Sequence, residues 1–557
     1  MAEISQTRFK APRRHALAAA VIALCAGTCG TANAIEFDTG NDDVQLRLDN
    51  TVRYNFGRRV EAQSPGVLGA VNSDDGDRNF KKGSTVTNRV DLLTEFDAVY
   101  QKKFGVRVSG AGWYDQAYAG GFDNTSLATT NHFEGSTPGF GLSHVTKRYF
   151  KGASGELLDA FVFGNFELGD MPLGVRAGRH TVNWGEALLG GGAIHGITYA
   201  QAPLDQAKAL ATPGIEAKEL YRPLNQISAN LQATPELSFA AQYFLEWDNS
   251  RVPESGTYLG FADHYLNGGE SLIVGPGVRA IHGKDLTPKN RGDWGVAARW
   301  SPQWLDGTMG FYVRNFSDKL PQAILMAAPP RQYFFNYGDD IDLYGISLAK
   351  QIAGISFGAD LNWRKNMPLV SESVIPVTSL AALPAQGEML GARGNTVHAV
   401  LNAIGSAPAT PLWDSASYAA ELTWNRWLSV SQGMNVFKGR ASYTAIDKVS
   451  KDFVGLALNF TPTWFQVFPG ADLSLPVSYS AGLSGNSAVT SGGNKDAGNW
   501  AIGLGLDLYS RYRFDLKYVD FFGKSTKNAA GGITVPNGTP ALLEDRGAVF
   551  FTFKTTF

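Results

Sequence analysis

Val44-Gln45-Leu46-Arg47-Leu48-Asp49-Asn50-Thr51-Val52-Arg53-Tyr54-Asn55-Phe56 is the stretch that decides the fold class. Val44, Leu46, Leu48, Val52, Tyr54 and Phe56 share one parity, and Gln45, Arg47, Asp49, Thr51, Arg53 and Asn55 share the other. Period-two alternation predicts a strand with one apolar and one polar face. Its length suits a tilted strand crossing a bilayer, which needs about ten residues. The pattern recurs. Val90, Leu92, Phe96 and Tyr100 oppose Arg89, Asp91, Glu95 and Asp97; after the turn Gln101-Lys102-Lys103, Phe104, Val106 and Val108 oppose Arg107 and Ser109. Ile355, Phe357, Ala359, Leu361 and Trp363 oppose Asp360, Asn362 and Arg364. Leu473, Leu475, Val477 and Tyr479 form one further apolar row, and Trp500, Ile502, Leu504, Leu506 and Leu508 another. Finally Val549, Phe551, Phe553, Thr555 and Phe557 alternate with Phe550, Thr552, Lys554 and Thr556. An aromatic at the last position of such a strand resembles the signal read by the outer-membrane barrel-assembly machinery. Phe551, Phe553 and Phe557 are therefore the candidate assembly signal.

The chain has 557 residues, 63 glycines, 12% aromatics and a formal net charge of −2. That balance gives no sign of nucleic-acid binding. Mean hydropathy is −0.14, but a barrel hides its lipid face from averages because every second residue points inward. Beyond the N-terminal segment no apolar run reaches the length of a helical span. Short turns at Gly169-Asp170, Thr234-Pro235-Glu236 and Ala353-Gly354 alternate with much longer connections, as periplasmic turns and external loops do. The expectation is an all-β, transmembrane antiparallel β-barrel of about sixteen strands, within a range of about 14–18. The stretch from Trp424 to Lys451 is long enough for two of them. Pro476 and Arg179 are expected at a bulge or a rim.

Residues 1–34 read as a secretory signal: Lys10, Arg13, Arg14 and His15 precede the apolar Ala16 to Ala26, and Ala32-Asn33-Ala34 offers small residues for cleavage. Residues 35–557 would then form a single barrel domain in the bacterial outer membrane. Both cysteines, Cys25 and Cys29, lie in the leader, so no disulfide or thiolate metal site is expected after processing.

Three patches carry a family resemblance: Arg176-Ala177-Gly178-Arg179 with Val182-Asn183-Trp184-Gly185-Glu186-Ala187; Pro213-Gly214-Ile215-Glu216-Ala217-Lys218-Glu219; and Pro462-Thr463-Trp464-Phe465-Gln466-Val467 with Asp472-Leu473. Together they resemble the domain-of-unknown-function 1302 family of proteobacterial outer-membrane barrels. The resemblance implies the barrel and its location. It implies no activity and no catalytic residue, and likeness of fold alone is weak warrant for function.

Three external connections are unusually apolar: Ser271 to Pro276; Ala323 to Met326 with Tyr333-Phe334-Phe335; and Leu369-Val370, Val374 to Val377 and Leu380 to Leu383. Apolar patches facing only water are uncommon, so these loops pack together as a lid, bind a hydrophobic ligand at the mouth, or dock a protein. Ile273, Leu325, Met326, Phe334, Phe335 and Ile375 are the candidate ligand contacts. The lumen parity carries Arg47, Arg53, Arg89, Asp91, Glu95, Arg107, Arg176 and Arg364, together with Arg299, Asp97 and Asp360. Rows of both signs form interior ion pairs or orient solutes in a pore. Trp113, Phe161, Phe163, Phe244 and Tyr509 share the inward register. The best candidate plug is the stretch Pro203 to Tyr221, which Pro213-Gly214 divides into at most two short helical pieces.

An enzyme is not expected. His132, His144, His195, His264, His282 and His398 fall in or near loops and His180 late in a strand. None sits in a recognisable catalytic motif, and glycine-rich Leu189 to Gly192 lacks phosphate-loop spacing. No cofactor and no metal are expected. The expected partners are outer-membrane lipid, the assembly machinery and a small-molecule substrate, with periplasmic envelope proteins if the barrel serves docking. The leading function is passive passage of a small hydrophobic or amphipathic compound. The alternative is a structural barrel whose sealed lumen supports a docking role.

Overall fold

The computed structural model describes residues 35–211 and 217–557. The proposed leader and the Pro213-Gly214 interruption lie outside the described residues. The wall is a closed antiparallel sheet of eighteen strands. In chain order they are β1 (Val44–Arg59), β2 (Thr85–Tyr100), β3 (Phe104–Asp115), β4 (Gly152–Leu168), β5 (Met171–His180) and β6 (Leu224–Thr234). There follow β7 (Leu237–Phe244), β8 (Trp294–Trp300), β9 (Gly307–Phe316), β10 (Ile341–Ile352), β11 (Ile355–Pro368) and β12 (Arg393–Ala407). The last are β13 (Ser415–Gln432), β14 (Asp452–Phe468), β15 (Ala471–Ser474 continuing as Val477–Ser484), β16 (Gly498–Leu508), β17 (Tyr512–Phe522) and β18 (Ala548–Thr556).

Each strand pairs with its sequence neighbours, and β1 closes the circle on β18 from Thr51↔Thr556 to Arg59↔Ala548. Closure leaves no unpaired edge, which is what lets a sheet stand in lipid. Past the end of β18, the short strand Ile35–Phe37 pairs with Leu46 to Leu48 of β1 and extends the seam.

The count of eighteen is two above the central expectation and at the top of the expected range of about 14–18. A ten-residue spanning length undercounts this wall, because β7 has 8 residues and β8 has 7. Trp424 to Lys451 holds no pair of strands; β13 runs through to Gln432, and 433–451 is a connection. At Pro476, which has no N–H to give, β15 breaks as expected between Ser474 and Val477.

Connections at one end are short (101–103, 169–170, 235–236, 301–306, 353–354, 408–414, 469–470 and 509–511) and those at the other are long. The tightest, Ala353-Gly354, turns with φ of +49° and +82°, the doubly left-handed hairpin that follows the twist of the strands. Tyr509 lies in such a turn and is 68% exposed, which corrects its expected place in the lumen.

Side chains alternate as the sequence predicts. Leu92, Val162, Leu401 and Leu504 point outward and are 42, 57, 53 and 49% exposed. A continuous apolar exterior of this kind requires lipid, not water, around it. Aromatic pairs mark both rims of the band: Phe104–Phe166 and Trp300–Trp304 at the short-turn end, Tyr344–Trp363 and Trp500–Tyr518 at the other. On β18, Phe551 faces outward beside Phe56 and Leu516, and Phe553 beside Tyr54 and Phe514, while Phe550 is buried inside. Phe557 exchanges backbone hydrogen bonds with Asn50. Arg179 sits at the outer rim, paired to Glu246 at 3.1 Å.

Candidate functional site

The lumen is divided into three levels. At the long-connection end the three apolar loops assemble a five-stranded sheet. Ser271–Gly275 pairs antiparallel with Val278–His282, which runs parallel to Gln332–Asn336. Gln332–Asn336 pairs antiparallel with Gln322–Met326, and that strand runs parallel to Val374–Val377. Segments far apart in sequence thus satisfy one another's backbone groups and bury one another's side chains.

Ile324, Phe334 and Ile375 form a row across one face, with Met326 two positions along. Leu325, Tyr333 and Phe335 lie on the other face, beside Leu272, Ala280, Trp247 and Tyr337. Phe335 is fully buried; Met326, Phe334 and Ile375 retain at most 6% exposure; Ile273 and Leu325 are half-buried. All six candidate contacts therefore lie in one lid, packed against protein.

Below the lid, connection 181–223 enters the barrel. Its described helices are Gly190–His195, Gln206–Ala211 and Ala217–Leu220; the last two are the pair expected between Pro203 and Tyr221. The infolded backbone must find hydrogen bonds away from water, and the wall supplies them. Glu421 on β13 accepts the N–H groups of Leu188, Leu189 and Gly192 at 2.7, 3.0 and 2.7 Å. Asp360 on β11 accepts those of Glu186 and Ile197 at 2.9 and 3.1 Å. Arg364 donates to the carbonyls of Ile194 and Gly196, and Arg314 to those of Ile197 and Tyr199. Arg53 is held by Glu219 at 2.7 Å, and Lys208 by Glu156. Ile197 and His195 are fully buried, so the plug is packed at its centre.

His195 meets His398 of β12 at 2.9 Å between their Nδ1 atoms. The outer nitrogens face Gly492 O and Thr396 Oγ1, both at 2.8 Å. A carbonyl can only accept, so His195 carries its proton on Nε2 and His398 donates from Nδ1. Burial holds the His195 imidazole down at about 4. His398 was expected in or near a loop; it lies instead within β12, facing the lumen.

Under the plug a chamber of about 1360 Å³ opens at the short-turn end. Arg47, Arg107, Arg176 and Arg299 line it, with Phe161, Phe163 and Trp184. Arg107 is shared among Glu95 at 2.6 Å, Asp97 at 3.6 Å and Asp159 at 3.8 Å. Arg47 pairs with Asp49 at 2.8 Å. Arg176 stacks over Phe161, its guanidinium carbon 5.7 Å from the ring centre. Among the described residues neither Arg176 nor Arg299 forms an ion pair with a carboxylate. Higher up, Arg89 pairs with Asp91 at 2.7 Å and stacks on Trp113.

Apart from Arg47, which pairs with Asp49 at the chamber, the predicted lumen charges fall into three groups. Arg89, Asp91, Glu95 and Arg107 neutralise one another, Arg53 and Arg364 hold the plug, and Arg176 faces the chamber. Sequence reasoning missed Glu421, Arg314 and His398 as anchors. Glu421 was findable, since Glu421, Thr423 and Asn425 alternate with Leu422 and Trp424. What it binds was not, because a segment more than two hundred residues earlier provides it.

Two kinds of comparison bear on identity. Pseudomonas aeruginosa OpdK, solved with vanillate, is 10% identical with a TM-score of 0.37, over 92% of this chain and 98% of that one. Pseudomonas aeruginosa OccD3 (OpdP) is 10% identical with a TM-score of 0.38, over 95 and 94%. Acinetobacter baumannii OccAB3 is 9% identical with a TM-score of 0.38, over 92 and 99%. Likenesses this distant leave function to be argued from the site. No curated protein matches the chain in sequence. The profile of a family described as protein of unknown function, DUF1302, matches residues 15–557. The match covers nearly the whole chain, and the chain belongs to the DUF1302 family.

Proposed function

We propose that this protein is an outer-membrane channel through which a small amphipathic compound passes when the plug and lid move aside. The observation that carries this reading is the chamber beneath the plug, where Arg176 and Arg299 stand beside Phe161, Phe163 and Trp184. Guanidiniums with no direct carboxylate contact stay open to an acidic group, and the rings accept an apolar body. Ile273, Leu325, Met326, Phe334, Phe335 and Ile375 would meet the apolar part of the compound as the lid parts. Phe551, Phe553 and Phe557 would serve the assembly machinery, after removal of residues 1–34 in the periplasm.

A second reading, a sealed barrel that docks periplasmic envelope proteins, draws support from the packed plug. Single-channel recording in planar bilayers separates the two. The channel reading expects rare openings in the wild type, more of them when Asp360→Asn and Glu421→Gln release the plug, and block by an aromatic carboxylate added on the chamber side. A folded double variant that never conducts would remove the channel reading and leave the docking one.

A further inference from the structure

Away from the lumen axis, three aspartates converge behind the lid. Asp74 comes from connection 60–84, as does Asp75, and Asp263 from connection 245–293. One carboxylate oxygen of each lies within 4.8 Å of the others, and the three are 0, 3 and 0% exposed. Each carboxylate is anchored by one oxygen. Asp263 Oδ2 accepts the Asp75 N–H at 3.0 Å, Asp75 Oδ2 accepts the Asn131 N–H at 2.8 Å, and Asp74 Oδ2 is held by Arg78.

The other oxygens are hardly served. Asp74 Oδ1 and Asp263 Oδ1 have no hydrogen-bond partner, and Asp75 Oδ1 has only a long contact of 3.4 Å from Asn124. A neutral residue adjoins them through its N–H on Asp75. Asn131, 1% exposed, spends its Nδ2 on Ser271 O and Asn72 Oδ1, and its own Oδ1 is left buried and unpartnered. Of the nearby cations, Arg78 forms an ion pair with Asp74 and with neither of the other two aspartates, while Arg546 is engaged by Asp77 and Asp545. Buried carboxylates in this excess need a counter-charge.

The geometry points to a divalent-cation site, formed by Asp74, Asp75, Asp263 and Asn131, that takes calcium. The donors are all oxygen, mostly anionic, with neither imidazole nor sulfur, the set that hard cations prefer. They come from three external connections, so a bound ion pins these together. Asn72 carries the effect to the lid: it accepts the Ile273 N–H at 2.8 Å and donates to Ile273 O at 2.9 Å, bracketing the lid's edge strand. Calcium thereby steadies the mouth of the barrel.

The test is calcium titration of chelator-treated full-length protein in detergent, by equilibrium dialysis with radioactive calcium. The wild type should bind one more equivalent than the Asp75→Asn, Asp263→Asn variant, with Kd on the order of 10⁻⁴ M as in extracellular sites. Counting the difference removes ions carried by residual lipopolysaccharide. Calcium should also slow proteolysis within 60–84 and 116–151 several-fold in the wild type. If the double variant fails to fold, Asn131→Ala, which keeps every carboxylate, should weaken binding about tenfold. Wild type that binds no saturable equivalent, or calcium binding equal in wild type and folded variants, would overturn the site. The carboxylates would then be balanced by protons.

Discussion

The carboxylate of Glu421, on the barrel wall, accepts the backbone N–H of Gly192 at 2.7 Å, inside a plug that begins at Thr181. The same group holds Leu188 and Leu189, so one side chain satisfies three backbone donors of the infolded segment. Charge-assisted bonds of this kind contribute about 1.5–3 kcal/mol each. Glu421→Gln should therefore loosen the plug by a few kcal/mol on that scale while leaving the wall intact. Hydrogen exchange at 186–197 should rise well before exchange in β13, and heat-modifiability of the folded barrel should be unchanged.

Acid should release the plug. His195 is neutral in the fold, held down at about 4 by burial, against roughly 6.5 when unfolded or freed. The released state binds the extra proton, so plug stability rises with pH across that window and is lost as pH falls from about 6.5 through 4. His398 and Arg364 face the imidazole and oppose its charging. The whole shift is worth roughly 3 kcal/mol. Conductance should increase between pH 6.5 and 4.5, and His195→Gln should flatten that response.

The lid should be separable from the wall. Leu325, Met326, Phe334 and Phe335 join loop to loop, and a buried side chain of this type gains roughly 1.5–3 kcal/mol over an exposed one. Replacing the four with serine should leave a folded barrel whose external loops are cut faster by protease. Uptake of an apolar compound measured beside ion conductance then tells lid from contact site. Higher conductance marks a lid; lower uptake at constant conductance marks a binding surface.

Arg176→Gln with Arg299→Gln should reduce anion preference and weaken block by an aromatic carboxylate at least tenfold, in a barrel that still folds. Neither guanidinium forms a direct ion pair among the described residues, so the change removes no carboxylate's hydrogen-bonded partner. Equal block in wild type and variant would place the acidic group elsewhere.

Phe551→Arg and Phe550→Ala test the register of the closing strand from its two sides. Phe551 faces lipid, where arginine costs about 2–4 kcal/mol near the midplane. Phe550 is 4% exposed in an interior cluster with Tyr258 and Phe521, where truncation costs about 3–5 kcal/mol. The first should lower insertion in cells. The second should lower the unfolding temperature of barrels that do insert.

The wall was legible because strand periodicity is a local property. Tyr54 and Arg53 face opposite sides for the same reason that any neighbours in a strand do, and lipid on one side forces the apolar choice at every second residue. So the alternation in β1, β2, β11 and β18 determined the barrel, its inside and its outside. Strand number was less well determined, since β7 and β8 fall short of the expected span.

What fills the barrel was decided by tertiary structure alone. The lid sheet pairs Ile324 with both Phe334 and Ile375, and no local signal says that these apolar loops will find one another. Leu189 to Gly192 reads as a glycine-rich stretch without phosphate-loop spacing, yet its donors end on Glu421. Nothing local marks Asp74 and Asp75 as a site; Asp263 and Asn131 join them from two other connections. Local sequence dictates which way a side chain faces. Partners in a loop or lumen are chosen by the requirement that every buried polar group be satisfied, and that is solved only when distant segments meet.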